Sequence, residues 1–76
     1  MGADEIDLLV AWGELLVAVE VKARLGDDPA EEFTPVKAAR FRRAGQALAP
    51  APARYDLVAV RVGRGGVGVR WLPGVC

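Results

Sequence analysis

The sequence predicts a small α/β domain with a mixed β-sheet and the element order strand, strand, helix, strand, strand. Three observations predict this class: two apolar runs separated by the turn-sized Trp12-Gly13, a helix start at Thr34-Pro35, and a nearly continuous apolar run over Tyr55–Val62. Seventy-six residues suffice for one hydrophobic core and not for two. We therefore expect one domain over residues 1–76.

The first two runs are typical of a β-hairpin. A turn at Trp12-Gly13 would pair Val10 with Leu15 and place Asp7 and Glu20 as diagonal neighbours, roughly 7–8 Å apart. Side chains alternate faces along a strand, so one face of this hairpin is wholly apolar. The other face carries the ionisable side chains of Glu5, Asp7, Glu20 and Lys22. A one-residue slip would mix the two sets, so the apolar face selects this register.

A polar, turn-rich segment over residues 25–32 predicts a mobile loop after the hairpin. Thr34 is the expected N-cap of the helix, and Pro35 fits its first position, where a missing N–H costs nothing. The helix should continue to about Leu48. Its expected buried stripe comprises Phe41, Ala44 or Gly45, and Leu48. The prolines of residues 49–53 predict a stiff, extended connection.

The apolar run Tyr55–Val62 is typical of a strand that is covered on both faces. A right-handed crossover through the helix would set it beside and parallel to the strand Glu14–Ala23. Gly63–Gly66 predicts a turn, and Val67–Leu72 a last strand that pairs back on it. A phosphate contact at these glycines is the less favoured interpretation.

The residue inventory excludes several functional classes. Histidine is absent and Cys76 is the only cysteine, which excludes an intrachain disulfide, a zinc site and a Ser-His or Cys-His catalytic pair within these residues. A metal must be bound by oxygen, which favours magnesium, manganese or calcium. No apolar run reaches the roughly 18 residues of a membrane span, and the acidic N-terminus does not resemble a secretory signal. We expect a cytoplasmic protein without a membrane partner.

The net charge of zero conceals a strong asymmetry along the chain. Residues 1–32 hold nine acidic and two basic residues, whereas residues 33–76 hold one acidic and eight basic residues. The two halves could simply neutralise each other across the fold. Alternatively, an acidic cluster beside a basic surface would suit a phosphate chain bridged by a cation.

The candidate site combines an acid on one strand with an acid-x-lysine triplet on the next. Asp7 and Glu20, helped by the backbone carbonyl of Val21, would bind magnesium or manganese and thereby support phosphodiester cleavage. Lys22 shares the face of Glu20 and would orient a water molecule or offset negative charge. The alternative interpretation is a solvated strand face with alternating charges.

Four segments, in one order, resemble the YraN-type family: residues 4–9, 19–24, 34–37 and 54–60. That family is functionally uncharacterised and is similar to the restriction endonucleases and Holliday-junction resolvases of the PD-(D/E)XK superfamily. The resemblance implies a restriction-endonuclease-like mixed β-sheet, truncated here because the usual N-terminal helix is lacking. It implies Asp7, Glu20 and Lys22 as the signature catalytic residues and Glu5 as an additional acid.

The expected function is that of a metal-dependent, nuclease-like protein that binds nucleic acid, with DNA as the expected class, and forms a homodimer. The basic residues expected to contact nucleic acid are Arg24, Lys37, Arg40 and Arg43, although a solvated helix face would explain the last three equally well. The alternative function is a non-catalytic dimeric or partner-binding module that retains the nuclease fold. Trp12 and Trp71 are expected to pack rather than stack on bases, and Asp56 to pair with Arg54.

Overall fold

A computed structural model describes residues 6–76 and confirms the predicted element order. The elements are β1 (Leu8–Trp12), β2 (Leu15–Leu25), a 3₁₀ turn (Pro29–Glu32), α1 (Pro35–Gln46), β3 (Arg54–Gly63) and β4 (Gly66–Leu72). The strands form one sheet in the order β1-β2-β3-β4. Its β1–β2 and β3–β4 pairs are antiparallel and its β2–β3 pair is parallel. This mixed sheet with one helix is consistent with a restriction-endonuclease-like fold.

The predicted register of the first hairpin was wrong by two residues. Val10 pairs with Val17 and not with Leu15, because the turn lies at Gly13-Glu14 and Trp12 remains in β1. Gly13 has φ +63°, in the left-handed region that favours glycine. The Arg54 guanidinium stacks over the Trp12 ring, 5.8 Å from its centroid, which favours Trp12 inside the sheet. A shift of two residues preserves the predicted faces, because the side-chain period of a strand is two.

Helix α1 begins as predicted and ends two residues early. The Thr34 Oγ1 atom accepts a hydrogen bond from the Lys37 N–H at 3.3 Å, and Pro35 occupies the first turn. The helix ends at Gln46, with Ala47 as its C-cap. Its buried residues are Phe41, Ala44 and Gly45, while the side chain of Leu48 remains 37% exposed. The stripe is therefore confirmed except at Leu48, which lies beyond the last turn.

The core lies between α1 and one side of the sheet, which we call the helical face. Ala18, Phe41 and Tyr55 form its centre, and the Phe41 and Tyr55 rings meet edge to face with centroids 5.3 Å apart. Phe33 extends this aromatic contact, 6.2 Å from Phe41. Such ring pairs stabilise a core by about 0.5–1.5 kcal/mol beyond the area that they bury. The same face continues beyond α1 with the charged part of β2.

The opposite side of the sheet, which we call the open face, contains a buried carboxylate. Asp56 is fully buried, and its two oxygens accept hydrogen bonds from Arg54 Nε and Nη2, each at 2.9 Å. They also accept from Trp71 Nε1 at 2.7 Å and the Gly74 N–H at 3.0 Å. The predicted Asp56–Arg54 pair is confirmed, and it connects β3, β4 and the residues after β4. Within this hydrogen-bonded arrangement Trp71 has a structural role.

The segment expected to be a mobile loop contains a 3₁₀ turn. Asp28 caps this turn, because its Oδ1 atom accepts from the Ala30 N–H at 3.0 Å. Ion pairs from Arg24 to Asp27 and Glu32, and from Arg70 to Asp28, connect the segment to the sheet. The sequence pattern could not reveal the Arg70–Asp28 pair, because these residues lie 42 positions apart in the chain. In residues 6–76, no helix is both long and apolar enough to cross a membrane.

Candidate metal and nucleic-acid site

The candidate site lies where β1 begins and β2 continues past it. Asp7 is a bend residue directly before β1, whose first residue, Leu8, pairs with Val19. Continuing this register by one residue would set Asp7 opposite Glu20. The sequence had placed these two residues as diagonal neighbours, and the two-residue shift of the turn brings them closer. Lys22 follows on the same face of β2 as Glu20.

Hydrogen bonds and an ion pair bring these three side chains together. The Val21 N–H donates to Asp7 Oδ2 at 2.8 Å, which holds the Asp7 carboxylate at the edge of β2. The Asp7 and Glu20 carboxyl groups also lie within hydrogen-bonding reach of each other. Lys22 Nζ lies 3.2 Å from Glu20 Oε2. With side chains 18% exposed for Glu20 and 32% for Lys22, the charges are partly withdrawn from solvent.

The electrostatics of the site penalise a second negative charge. Burial raises the pKa of the Glu20 carboxyl, and the neighbouring Asp7 raises it further through a hydrogen bond and charge repulsion. Lys22 opposes these effects, but the net pKa of Glu20 remains above its ordinary value of 4.5. Two carboxyl groups in this position share a proton or attract a cation. In this structure the Lys22 amine supplies a positive charge beside Glu20.

The available donors fit a small, hard cation. Asp7 and Glu20 supply carboxylate oxygens. The N–H and C=O of one strand residue point toward the same neighbouring strand. Because the Val21 N–H donates to Asp7, the Val21 carbonyl also lies on the Asp7 side of β2. Within residues 6–76 no group of three or more acidic, histidine or cysteine side chains could hold a metal. Magnesium fits such a sparse site, because it commonly binds through one or two carboxylates and retains several waters. Glu5 lies outside the described residues.

The basic residues predicted for nucleic-acid contact do not form one cluster. Arg24 pairs with Asp27 and Glu32, so acids of the chain already offset its charge. Lys37, Arg40 and Arg43 lie along α1 at intervals of three residues, which places neighbours on adjoining parts of one helix surface. Arg40 and Arg43 are exposed, and Lys37 is half-buried.

Sequence reasoning missed two cations on the helical face, Arg61 and Arg70. The registers set Ala59 between Lys22 and Arg70, and Arg61 between Arg24 and Gly68. Arg61 and Arg70 therefore belong to the same surface as Lys22. The available sequence signal was Arg61 within the apolar run of β3. The face of the sheet on which Arg61 lies depends on the pairing of three strands.

Comparison with known proteins places the chain in a family. A family model described as "Uncharacterised protein family UPF0102" matches residues 1–60. A UPF0102 protein from Mycolicibacterium vanbaalenii is 42% identical over 69 residues, covering 79% of this chain and 57% of the relative. A second, from Paramagnetospirillum magneticum, is 40% identical over 67 residues, covering 78% of this chain and 52% of the relative. The chain belongs to the UPF0102 family.

Membership in UPF0102 confirms the resemblance to the YraN-type family. The chain spans little more than half the length of these two curated UPF0102 relatives. The matched residues 1–60 include Asp7, Glu20 and Lys22, whereas Arg61 and Arg70 lie beyond the match. No solved structure matches the chain significantly.

Proposed function

We propose that this UPF0102 protein is a metal-dependent, nuclease-like protein that binds nucleic acid, with DNA as the preferred class, and hydrolyses phosphodiester bonds. The observation that carries the proposal is the convergence of Asp7, Glu20 and Lys22. Two carboxyl groups lie within hydrogen-bonding reach, and the amine of Lys22 is 3.2 Å from Glu20. Anionic ligands can hold a metal for phosphodiester hydrolysis, and a nearby cation can offset the charge that develops in the transition state.

The residues have distinct proposed roles. Asp7, Glu20 and the Val21 carbonyl hold magnesium or manganese. The bound ion supplies Lewis acidity, which polarises a phosphate oxygen and lowers the pKa of a water molecule. The Val21 N–H fixes the Asp7 carboxylate, and Lys22 orients the attacking water and offsets charge that develops on the phosphate. Glu5 is proposed as an additional acid of this site.

Basic residues outside the site are proposed to hold the nucleic acid. Lys37, Arg40 and Arg43 offer positive charge on α1, and Arg24 of β2 is included although Asp27 and Glu32 already offset its charge. Contacts of this kind to phosphates position a nucleic acid without reading its sequence. Binding through them should weaken steeply with salt, because each neutralised phosphate releases condensed counterions.

A cleavage assay tests the proposal. Wild-type protein is incubated with branched, single-stranded and duplex DNA in manganese, alongside Glu20→Gln, Lys22→Ala and the matched control Glu31→Gln. Glu31 is an exposed acid on the 3₁₀ turn and lies outside the site. We expect products from wild type and Glu31→Gln, and a loss of at least a hundredfold in the two site variants, because each removes a charge that the transition state needs.

The controls separate true activity from a contaminating nuclease. Identical products from all four proteins would identify a contaminant and overturn the assignment of these residues. Absence of products from folded wild-type protein on every substrate would favour the non-catalytic alternative.

One observation favours that alternative, a dimeric module that retains the nuclease fold. The open face exposes eight large apolar side chains by 37–79%: Leu8, Trp12, Leu15, Val21, Leu25, Val67, Val69 and Trp71. Apolar side chains exposed in this number on one face of a sheet are typical of an interaction surface. We propose that a second copy of the chain covers it, since an isolated domain rarely exposes so large a patch.

A further inference from the structure

The helical face has a pocket whose basic residues have no role in the proposed catalytic site. This pocket has a volume of about 210 Å³ and lies between Arg61 of β3 and Arg70 of β4. Ala59, Gly68 and Val69 also line it from the strands, a side that we call the floor, and Asp28 and Pro29 line it from the segment of the 3₁₀ turn. We call it the Arg61–Arg70 pocket.

The geometry of the floor permits a close approach to the strands. Gly68 pairs with Arg61 and has no side chain, and a Cβ added at Gly68 would meet nothing within 4 Å. Ala59 contributes a single methyl group. The two arginines therefore flank a shallow space into which a tetrahedral anion can enter.

The two guanidinium groups differ in their present partners. Arg61 is exposed, and no carboxylate of residues 6–76 pairs with it. Arg70 donates from Nη1 to Asp28 Oδ2 at 2.9 Å, which orients its guanidinium along the pocket edge and leaves other N–H groups available. The pocket itself holds two cations and one acid, so its net charge is positive.

The position of the pocket relates it to the candidate site. Lys22, Ala59 and Arg70 are neighbours in one row across β2, β3 and β4, so the Cα atoms of Lys22 and Arg70 lie about 10 Å apart. A nucleic-acid strand carries a phosphate every few ångströms. A chain bound at Lys22 can therefore reach the pocket on the same face.

We propose that the Arg61–Arg70 pocket binds one phosphate group of a nucleic-acid backbone. The inference rests on the proposed function, because it names a second contact for the same ligand. Paired guanidinium forks match phosphate oxygens, and the open floor admits the group without displacing a side chain. The Asp28 carboxylate competes with the phosphate for Arg70, so it tunes the affinity of the pocket.

Binding of fluorescent single-stranded and duplex DNA, measured by anisotropy in EDTA across a salt series, tests the pocket. We expect Arg61→Gln and Arg70→Gln each to weaken binding about three- to tenfold and to reduce the slope of log affinity against log salt by about 0.9 on duplex or 0.7 on single strands. The control Arg64→Gln removes the same charge from the β3–β4 turn, outside the pocket, and should leave the slope unchanged.

Two further variants separate the pocket from general electrostatics. Gly68→Val fills the floor without changing net charge, and a β-branched residue suits an open strand position. It should weaken binding as much as Arg61→Gln does. Asp28→Asn retains an oxygen that can cap the turn and removes the competing charge, so it should strengthen binding, whereas the control Glu31→Gln should not.

The outcomes distinguish this inference from the proposed function. DNA binding by wild type that Arg61→Gln and Gly68→Val leave unchanged would overturn the pocket alone. The pocket would also be overturned if the arginine variants bind DNA more weakly but Gly68→Val does not. Thermal melting checks that Gly68→Val is folded. An Arg61-dependent response to inorganic phosphate without a change in DNA affinity would assign the pocket to a free anion and overturn the proposal. Wild-type protein that neither binds nor cleaves DNA would overturn both.

Discussion

Two carboxylates on neighbouring strands show how environment decides the state of an acid. Burial alone would raise the pKa of Asp56, but hydrogen bonds from Arg54, the Gly74 N–H and Trp71 outweigh it and hold that pKa below its ordinary value. Glu20 has one cationic partner and an acidic neighbour, so burial dominates and its pKa rises. The ionised form of Asp56 therefore stabilises the fold, whereas ionisation of Glu20 lowers the stability of the fold. Groups of the second kind are typical of functional sites.

Stability without divalent ions should therefore depend on Glu20. The pKa of Glu20 is above its ordinary value of 4.5 in the folded protein. Between the ordinary pKa of the unfolded chain and this raised pKa, the folded protein binds more protons than the unfolded chain. The free energy of unfolding therefore falls as pH rises through this range. We expect Glu20→Gln to remove this fall and, at pH 7 in EDTA, to raise the melting temperature. Thermal melts between pH 4 and pH 8 measure it.

Magnesium should raise the melting temperature of the wild type above that of Glu20→Gln. At an ion concentration ten times its dissociation constant, the wild type gains about 1.4 kcal/mol, and this gain should increase with pH as Glu20 ionises. Glu20→Gln should gain much less, while Glu31→Gln should match the wild type. A lower melting temperature of Glu20→Gln in EDTA at pH 7 would show that its ion pair with Lys22 outweighs the cost of burial.

At the scale of elements, the contact between α1 and β3 determines how the helix sits over the sheet. Gly45 faces the Tyr55 ring, and a Cβ at this position would overlap the ring atoms. The Tyr55 hydroxyl reaches past the glycine and donates to the Arg42 carbonyl oxygen at 3.3 Å. The glycine inside the helix is thus explained by close packing, although it costs about 1 kcal/mol in helix propensity.

Gly45→Ala should therefore destabilise the protein even though alanine favours a helix. The overlap costs about 1–3 kcal/mol, which exceeds the gain in propensity, so we expect a lower melting temperature and a weaker Tyr55 contact. Gly63→Ala is the matched control, because a Cβ there meets nothing within 4 Å. Equal melting temperatures for Gly45→Ala and wild type would mean that the Tyr55 ring moves aside without cost.

At the scale of the whole molecule, the two faces of the sheet differ in chemistry. The helical face carries α1, the candidate site and the Arg61–Arg70 pocket, while much of the open face is apolar and exposed. If a second copy covers the open face, both copies present their helical faces outward. A dimer of this kind would leave two sites free to bind a nucleic acid.

Sedimentation velocity over a range of concentrations tests this dimer. Val69 is 65% exposed on the open face, so Val69→Lys should prevent association while a monomer still folds. We expect a concentration-dependent dimer for wild type and at least a tenfold weaker association for Val69→Lys. The control Val36→Lys replaces a 60% exposed valine of α1 and should associate normally. A monomeric wild type at every concentration would contradict the proposal.

Local signals in the sequence determined most of the elements. The cap at Thr34-Pro35, the alternation in β2 and the glycine-rich turn after β3 act within a few residues, so each can be recognised without knowing the fold. The shared face of Asp7, Glu20 and Lys22 was also predictable, because strand periodicity survives a two-residue error in register.

Only the tertiary structure decided which distant residues meet. The stacking of Arg54 on Trp12 accompanies the turn at Gly13-Glu14, and the pairing of three strands brings Arg61 and Arg70 to the face of Lys22. The ion pair between Arg70 and Asp28 likewise positions the acidic 3₁₀ turn. Such contacts join residues far apart in the chain, and their energies depend on packing and register that no short window of sequence contains.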